Sequence, residues 1–269
     1  MTVFPEPFSS IVLLLLGLVF GSFLNVCIHR LPEGASVVRP RSSCPECGSP
    51  IHWYQNVPVV SWLALGGRCA ACRARISLRY PAVELLGGVL LVLLWRMLGP
   101  GLAFPIAAFF ALAMVVLFFT DFDHQILPDA VTLTGFAVGV AVAWLNPFLD
   151  GPGPRRLWLS LAGAALGSGL LWGIGALYGR LRGVEAMGMG DVKMMAMIGA
   201  FTGPFGVMTT ILFGSIGGAV IGLLMIPLRG RTLQDALPFG CFLAPAAMVS
   251  LLYSGAVWSV YARILTPPL

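Results

Sequence analysis

Acidic residues are few in this chain, and several sit where a carboxylate is costly. Asp121, Asp123 and Asp129 follow the apolar run ending Phe118-Phe119-Thr120, and Asp191 follows Gly188-Met189-Gly190 where another apolar run opens. Glu84 opens a third such run. An acid at a membrane boundary marks a site by default, because desolvating its charge is expensive. Two carboxylates converging on one water form a peptide-cleaving device. The ionised one takes a proton from the water, while the protonated one hydrogen-bonds the scissile carbonyl. Like charges a few ångströms apart share one proton rather than both ionise. Blander roles compete with this one. Asp191 could cap a helix, Asp129 after Leu127-Pro128 has the pattern of a cap, and Asp123 with His124 could be solvated in a loop. Residue type and spacing leave Asp121, Asp123 and Asp129 open as partners for Asp191. Gly188 and Gly190 permit a tight turn and the close approach of a substrate strand. The helix start and the nearby Lys193 are expected to make Asp191 the more ionised partner.

Cysteines form the second constellation. Cys44-Pro45-Glu46-Cys47 and Cys69-Ala70-Ala71-Cys72 are two CxxC knuckles, separated by the 21 residues from 48 to 68. Two intervening residues let one turn offer two thiolates to one ion, and two turns complete a tetrahedron of the zinc type. Gly48 and Gly66-Gly67 supply turn freedom beside them. A closed four-thiolate site has no open position for catalysis, so the metal is expected to hold its segment together. Disulfides are the competing reading, and they rarely persist in a reducing cytoplasm. Cys27 and Cys241 stand alone in apolar runs and read as buried small hydrophobes.

The elements that must position these groups are membrane spans. The 269 residues are 58% hydrophobic and only 10% charged, with a mean hydropathy of +0.91. So little charge cannot dress a water-facing surface. Eight apolar segments stand out, at about 8–28, 82–98, 102–120, 130–147, 157–178, 191–203, 206–227 and 239–261. The sixth is short enough for a half-span or re-entrant element. Residues 1–29 read as a retained first span, since no basic region precedes the apolar stretch and no small-residue cleavage site ends it. Residues 30–80 form the only sizeable insert, too small for an ample core without a metal, and residues 81–269 form the remaining membrane core. The fold class is therefore an all-α polytopic membrane protein with about eight transmembrane helices and a small zinc-ribbon-like insert.

Charge sets the orientation. Arg30, Arg39, Arg41, Arg68, Arg73, Arg75, Arg79, Arg180, Arg182, Lys193, Arg229 and Arg231 fall on one set of loops. Arg96, Arg155, Arg156 and Arg263 fall on the other. The richer side is cytoplasmic, which places the insert and the acids there and both chain ends on the far face. The net charge of +5 is thereby explained by topology, and no charge run suits a nucleic-acid groove.

Taken in order, Gly21-Ser22-Phe23-Leu24-Asn25-Val26, His29-Arg30-Leu31-Pro32, the two knuckles, Tyr80-Pro81-Ala82-Val83-Glu84, the stretch from Asp121 to Asp129, and Gly188-Met189-Gly190-Asp191 closely resemble the type IV prepilin peptidases of bacterial pilus and type II secretion systems. The resemblance runs from about residue 17 to 245. It implies an inner-membrane aspartyl protease of the GxGD type, with Asp121 and Asp191 as its catalytic pair. It implies a prepilin or pseudopilin substrate whose basic leader is cut at the cytoplasmic face, after a Gly and usually before a Phe. Glu84, Asp123 and Asp129 are candidates to meet the leader's charge. Members with the four-cysteine insert typically also N-methylate the new terminus using S-adenosylmethionine. No glycine-rich nucleotide-binding unit in 30–80 assigns the methyl donor's ligands; the Gly66-Gly67-Arg68 turn beside the second knuckle is the candidate for methyl transfer. A proton-coupled transporter using the same acids is the main competing function, and it would need protonatable groups reaching both faces. A scaffold docking a partner through its zinc insert is the third.

Overall fold

A computed structural model describes residues 6–183, 187–229 and 238–265. These residues form α1 (Glu6–Arg30), α2 (Val60–Ala64), α3 (Arg79–Leu98), α4 (Ala103–His124), α5 (Asp129–Val142), α6 (Gly153–Arg182), α7 (Met189–Arg229) and α8 (Gly240–Leu265). Among the described residues five helices are long and apolar enough to cross a membrane, and the stretches Asp129–Leu145 and Gly240–Tyr253 are shorter apolar helices. Packing divides the chain between Leu112 and Ala113. The helix α3, which the sequence alone groups with the membrane core, falls with α1 and the insert.

In the first unit α1 lies directly on α3. A Cβ on Gly17 would sit 2.6 Å from the Gly87 carbonyl oxygen, and one on Gly21 would sit 2.5 Å from the Glu84 Cα. Helix backbones touch here because nothing larger than hydrogen intervenes. Ile11, Leu15, Val19 and Phe23, spaced four apart on α1, are exposed, as lipid-facing side chains must be. Asn25 donates its side-chain amide to the Tyr80 carbonyl at 3.0 Å, tying the end of α1 to the start of α3.

The second unit is organised by a reversal inside α7. Gly203 has φ 68° and ψ −175°, outside helical values. In a straight helix Met195 and Val207 would be about 18 Å apart. Yet both come within 3.3 Å of a Cβ placed on Gly167. The chain therefore folds back at Gly203-Pro204 into two arms, 189–202 and 204–229. Proline suits the first position of the second arm because it has no N–H to leave unpaired. The sixth and seventh apolar segments are these two arms. The first is about 21 Å long, the half-span that its length suggested.

Ending a helix inside a packed unit strands its last carbonyls. Ser160 donates to the Ala200 carbonyl at 2.8 Å, and the Asn146 side-chain amide donates to the Phe201 carbonyl at 2.9 Å. Both side chains are fully buried. The helix α5 runs alongside the first arm, with Gly135 against Met197 and Gly139 against Phe201. The helix α8 returns along the second arm, with Leu243 on Gly214 and Ser250 near Gly206. The last turn of α4 and the first turns of α5, α7 and α8 thus meet at one end of the unit.

Candidate active site and metal centre

Asp121 and Asp191 meet at that end, close enough to interact electrostatically. Asp121 is 5% exposed on the last turn of α4. Its Oδ2 accepts the Cys241 backbone N–H at 2.9 Å, at the start of α8. A Cβ on Gly240 would lie 2.9 Å from the same oxygen, so α8 approaches Asp121 through a residue without a side chain. Asp191 stands in the first turn of α7, with its N–H on the Gly188 carbonyl at 3.2 Å. Its Oδ1 is buried and has no hydrogen-bond partner among the described residues.

Leu127 joins the two halves. A Cβ on Gly190 would meet the Leu127 Cβ at 3.0 Å, and one on Gly240 would meet its Cδ2 at 3.2 Å. Gly190 is therefore filled by protein, not left for a substrate strand. Gly188 is more open: among the described residues a Cβ there would meet the Asp191 Oδ2 at 3.8 Å and little else.

The remaining acids separate in role. Asp129, in the first turn of α5, receives Lys193 Nζ on both oxygens, at 2.7 and 2.8 Å. The positive charge expected to favour Asp191 is thus placed on Asp129, and the donors expected for Asp191 lie on Asp121. Asp123 is exposed near the end of α4. Glu84 belongs to the first unit, where it is 8% exposed and accepts the Val59 N–H at 2.7 Å.

Cys241 is buried as expected, but it is no bystander: its thiol donates to the Phe118 carbonyl at 3.3 Å while its N–H holds Asp121. The signal in the sequence was Pro238-Phe239-Gly240, a break at the opening of the last apolar run.

The four insert cysteines converge. Their Sγ atoms all lie within 4.8 Å of one another, and Cys44 and Cys72 are 3.8 Å apart. A zinc tetrahedron with Zn–S bonds of about 2.3 Å needs S···S separations of about 3.8 Å. The donor set fits a structural zinc ion. The two knuckles are copies of one turn. Gly48 and Arg73, each directly after the second cysteine of its knuckle, have φ 69° and 63°. Each donates its N–H to the first cysteine's carbonyl, at 2.8 and 3.1 Å. The N–H groups of Cys72 and Ala71 pull the Cys69 thiol down to about 6. The Ala74 N–H pulls on Cys72 likewise, but the neighbouring thiols, Cys47 foremost, outweigh it and push Cys72 up to about 12. Crowded thiols that cannot all ionise are what a divalent cation relieves.

Beside the knuckles lies a cavity of about 820 Å³, walled by residues from Ser22 to Glu84. Gly67 and Arg68 do not line it. Gly67 instead faces the Trp62 indole, 2.7 Å from where its Cβ would be, and Arg68 pairs with Arg75 in an isolated bridge.

Comparison with known proteins gives two family matches. Residues 15–98 match the bacterial peptidase A24 N-terminal domain, and residues 108–223 match the type IV leader peptidase family. Among curated relatives, the prepilin leader peptidase/N-methyltransferase of Myxococcus xanthus (strain DK1622) is 40% identical over 228 residues, which are 84% of this chain and 65% of that protein. The chain thus spans just under two thirds of that relative. Proteins of the same description from Pseudomonas aeruginosa and Aeromonas hydrophila are 35% and 36% identical, over 93% and 92% of this chain and 92% and 91% of their own lengths. No solved structure matches.

Proposed function

The chain belongs to the type IV leader peptidase family, and from that premise we propose that it removes the basic leader of a prepilin or pseudopilin with Asp121 and Asp191 as its catalytic pair. The observation that carries the assignment is the asymmetry of the two acids. Asp121 holds a backbone N–H at a helix start, an arrangement that favours negative charge. Asp191 keeps a buried oxygen without a partner among the described residues, an arrangement that suits a protonated acid awaiting a carbonyl. In this reading Asp121 takes a proton from water. The resulting hydroxide attacks the scissile carbonyl, which Asp191 polarises by donating its proton. The tetrahedral intermediate then collapses: the proton on Asp121 passes to the departing amine, the C–N bond breaks, and the leader's new carboxyl group returns a proton to Asp191.

The cut is made at the cytoplasmic face of the inner membrane, with both chain ends periplasmic and the insert cytoplasmic, as the distribution of arginines supports. The names of the relatives support a second activity, N-methylation of the new terminus from S-adenosylmethionine. Cys44, Cys47, Cys69 and Cys72 would hold zinc, whose contribution is structural.

The test is cleavage of a prepilin in membranes. Asp121→Asn and Asp191→Asn should each abolish it while zinc content stays at the parent level. Cleavage retained by either variant would remove that acid from the pair.

A further inference from the structure

We propose that residues 57–64 form an in-plane membrane element: α2 lies in the headgroup region of the leaflet where α1 ends and α3 begins, with its apolar face against phospholipid.

The surface of the insert is anomalous for a water-facing segment. A stretch as short as 30–80 has little apolar surface to spare from its own core. Yet Val57, Val60, Leu63 and Ala64 are all exposed, Val60 at 61% and Leu63 at 65%. In α2 the last three fall at the first, fourth and fifth positions, on one side of a helical turn. The residues between them are tied to protein. Ser61 is buried and gives its hydroxyl to the Tyr54 carbonyl at 2.9 Å, and Trp62 gives its indole N–H to the Ile76 carbonyl at 3.2 Å. An apolar face held outward from an anchored back is the pattern of an interfacial helix, and exposed apolar patches of this kind mark a contact surface.

A hydrogen bond fixes the depth. The Val59 N–H, directly before α2, reaches the Glu84 carboxylate at 2.7 Å. Glu84 comes five residues after Arg79, the first of α3, which is about 7.5 Å along a helix axis. The same residue touches α1, since a Cβ on Gly21 would lie 2.5 Å from the Glu84 Cα. The start of α2 is thus docked inside the ends of two membrane-spanning helices. Interfacial helices bury their apolar faces by about 5–10 Å, and the two depths agree.

Continuity and charge identify the occupant as lipid. Leu78, directly before α3, is exposed, and Leu85, Leu86, Val89 and Leu93 continue an exposed apolar stripe along the span. The insert carries seven arginines against two glutamates over residues 30–80. Arg68 and Arg75 are exposed and face each other in an isolated bridge. That ribbon is the one that seats α2: a Cβ on Gly67 would lie 2.7 Å from the Trp62 ring, and Ile76 donates its N–H to the Gly67 carbonyl at 2.8 Å. Guanidinium groups bind phosphates through paired hydrogen bonds. Arginines beside an outward apolar face therefore match a phospholipid, phosphate above and acyl chain below.

The experiment uses the full-length purified protein in nanodiscs of phosphatidylcholine and phosphatidylglycerol, with a photoreactive benzophenone amino acid placed at Leu63. Val19, on the exposed side of α1, is the reference position. Illumination should give adducts of one phospholipid mass at Leu63, as at Val19. Arg68→Gln combined with Arg75→Gln should lower the Leu63 adduct about fivefold relative to that at Val19. A thermal midpoint equal to the parent's checks that each protein is folded. Lipid adducts at Val19 with none at Leu63 overturn the proposal. Leu63 adducts formed instead with a second copy of the chain, or with an added prepilin, overturn it as well. An undiminished Leu63 adduct in the double variant overturns the part given to the arginines.

Discussion

Asp121 is held by a backbone group, and its geometry therefore depends on residues with no chemistry of their own. Gly240 is the sharpest case, because a Cβ there would press on the Asp121 carboxylate. Displacements on the scale of 1 Å cost about 10²-fold in rate. Gly240→Ala should lower kcat for leader cleavage by about that factor with little change in KM, measured on a purified prepilin. Gly190→Ala acts one step further away, through Leu127, and should cost less. Equal losses in the two variants would argue against direct contact between α8 and the carboxylate as the reason. The pair at Asp129 and Lys193 is a different kind of contact. It is partly exposed, and such pairs contribute at most about 1 kcal/mol. It joins the starts of α5 and α7 without determining them.

At the scale of elements, the reversal at Gly203 and the two knuckles are the features most open to test. Asn146→Ala and Ser160→Ala each leave a buried carbonyl at the end of the first arm without its partner. Each should destabilise the folded protein by about 1–3 kcal/mol, read as a lowered thermal midpoint in detergent. In the insert, Arg73 occupies the left-handed conformation that Gly48 occupies in the other knuckle. A side chain there costs about 1–2 kcal/mol. Arg73→Gly should therefore make the insert harder to strip of metal, seen as slower thiol release under a chelator. Removing zinc altogether should free four thiols to titrate and unfold the insert, since a segment of this size lacks a sufficient core.

For the molecule as a whole, the arginine distribution predicts that reporters fused to either chain end report the periplasm and that one placed in residues 30–80 reports the cytoplasm. A cytoplasmic reporter at one end alone would mean an odd number of spans, and cytoplasmic reporters at both would invert the orientation. The reversal at Gly203 bears directly on that count. Read as one helix, 189–229 would cross once. Read as two arms of opposite direction, it restores the eight segments visible in the hydropathy.

Composition and spacing alone pointed to a helical membrane protein, to where its apolar helices lie, to four cysteines drawn to one place, and to Asp191 as a candidate site residue. Those are local properties, written in apolar run length and in turn-scale spacing. Three-dimensional packing decided the rest. It chose Asp121 over Asp123 and Asp129 as the neighbour of Asp191, put Lys193 on Asp129, and brought Gly240 and Cys241 onto a carboxylate 120 residues earlier in the chain. It also drew α3 to α1 through glycines 70 residues apart. Each of these depends on which helix faces meet, and a face is defined by its partner, which no stretch of sequence contains by itself.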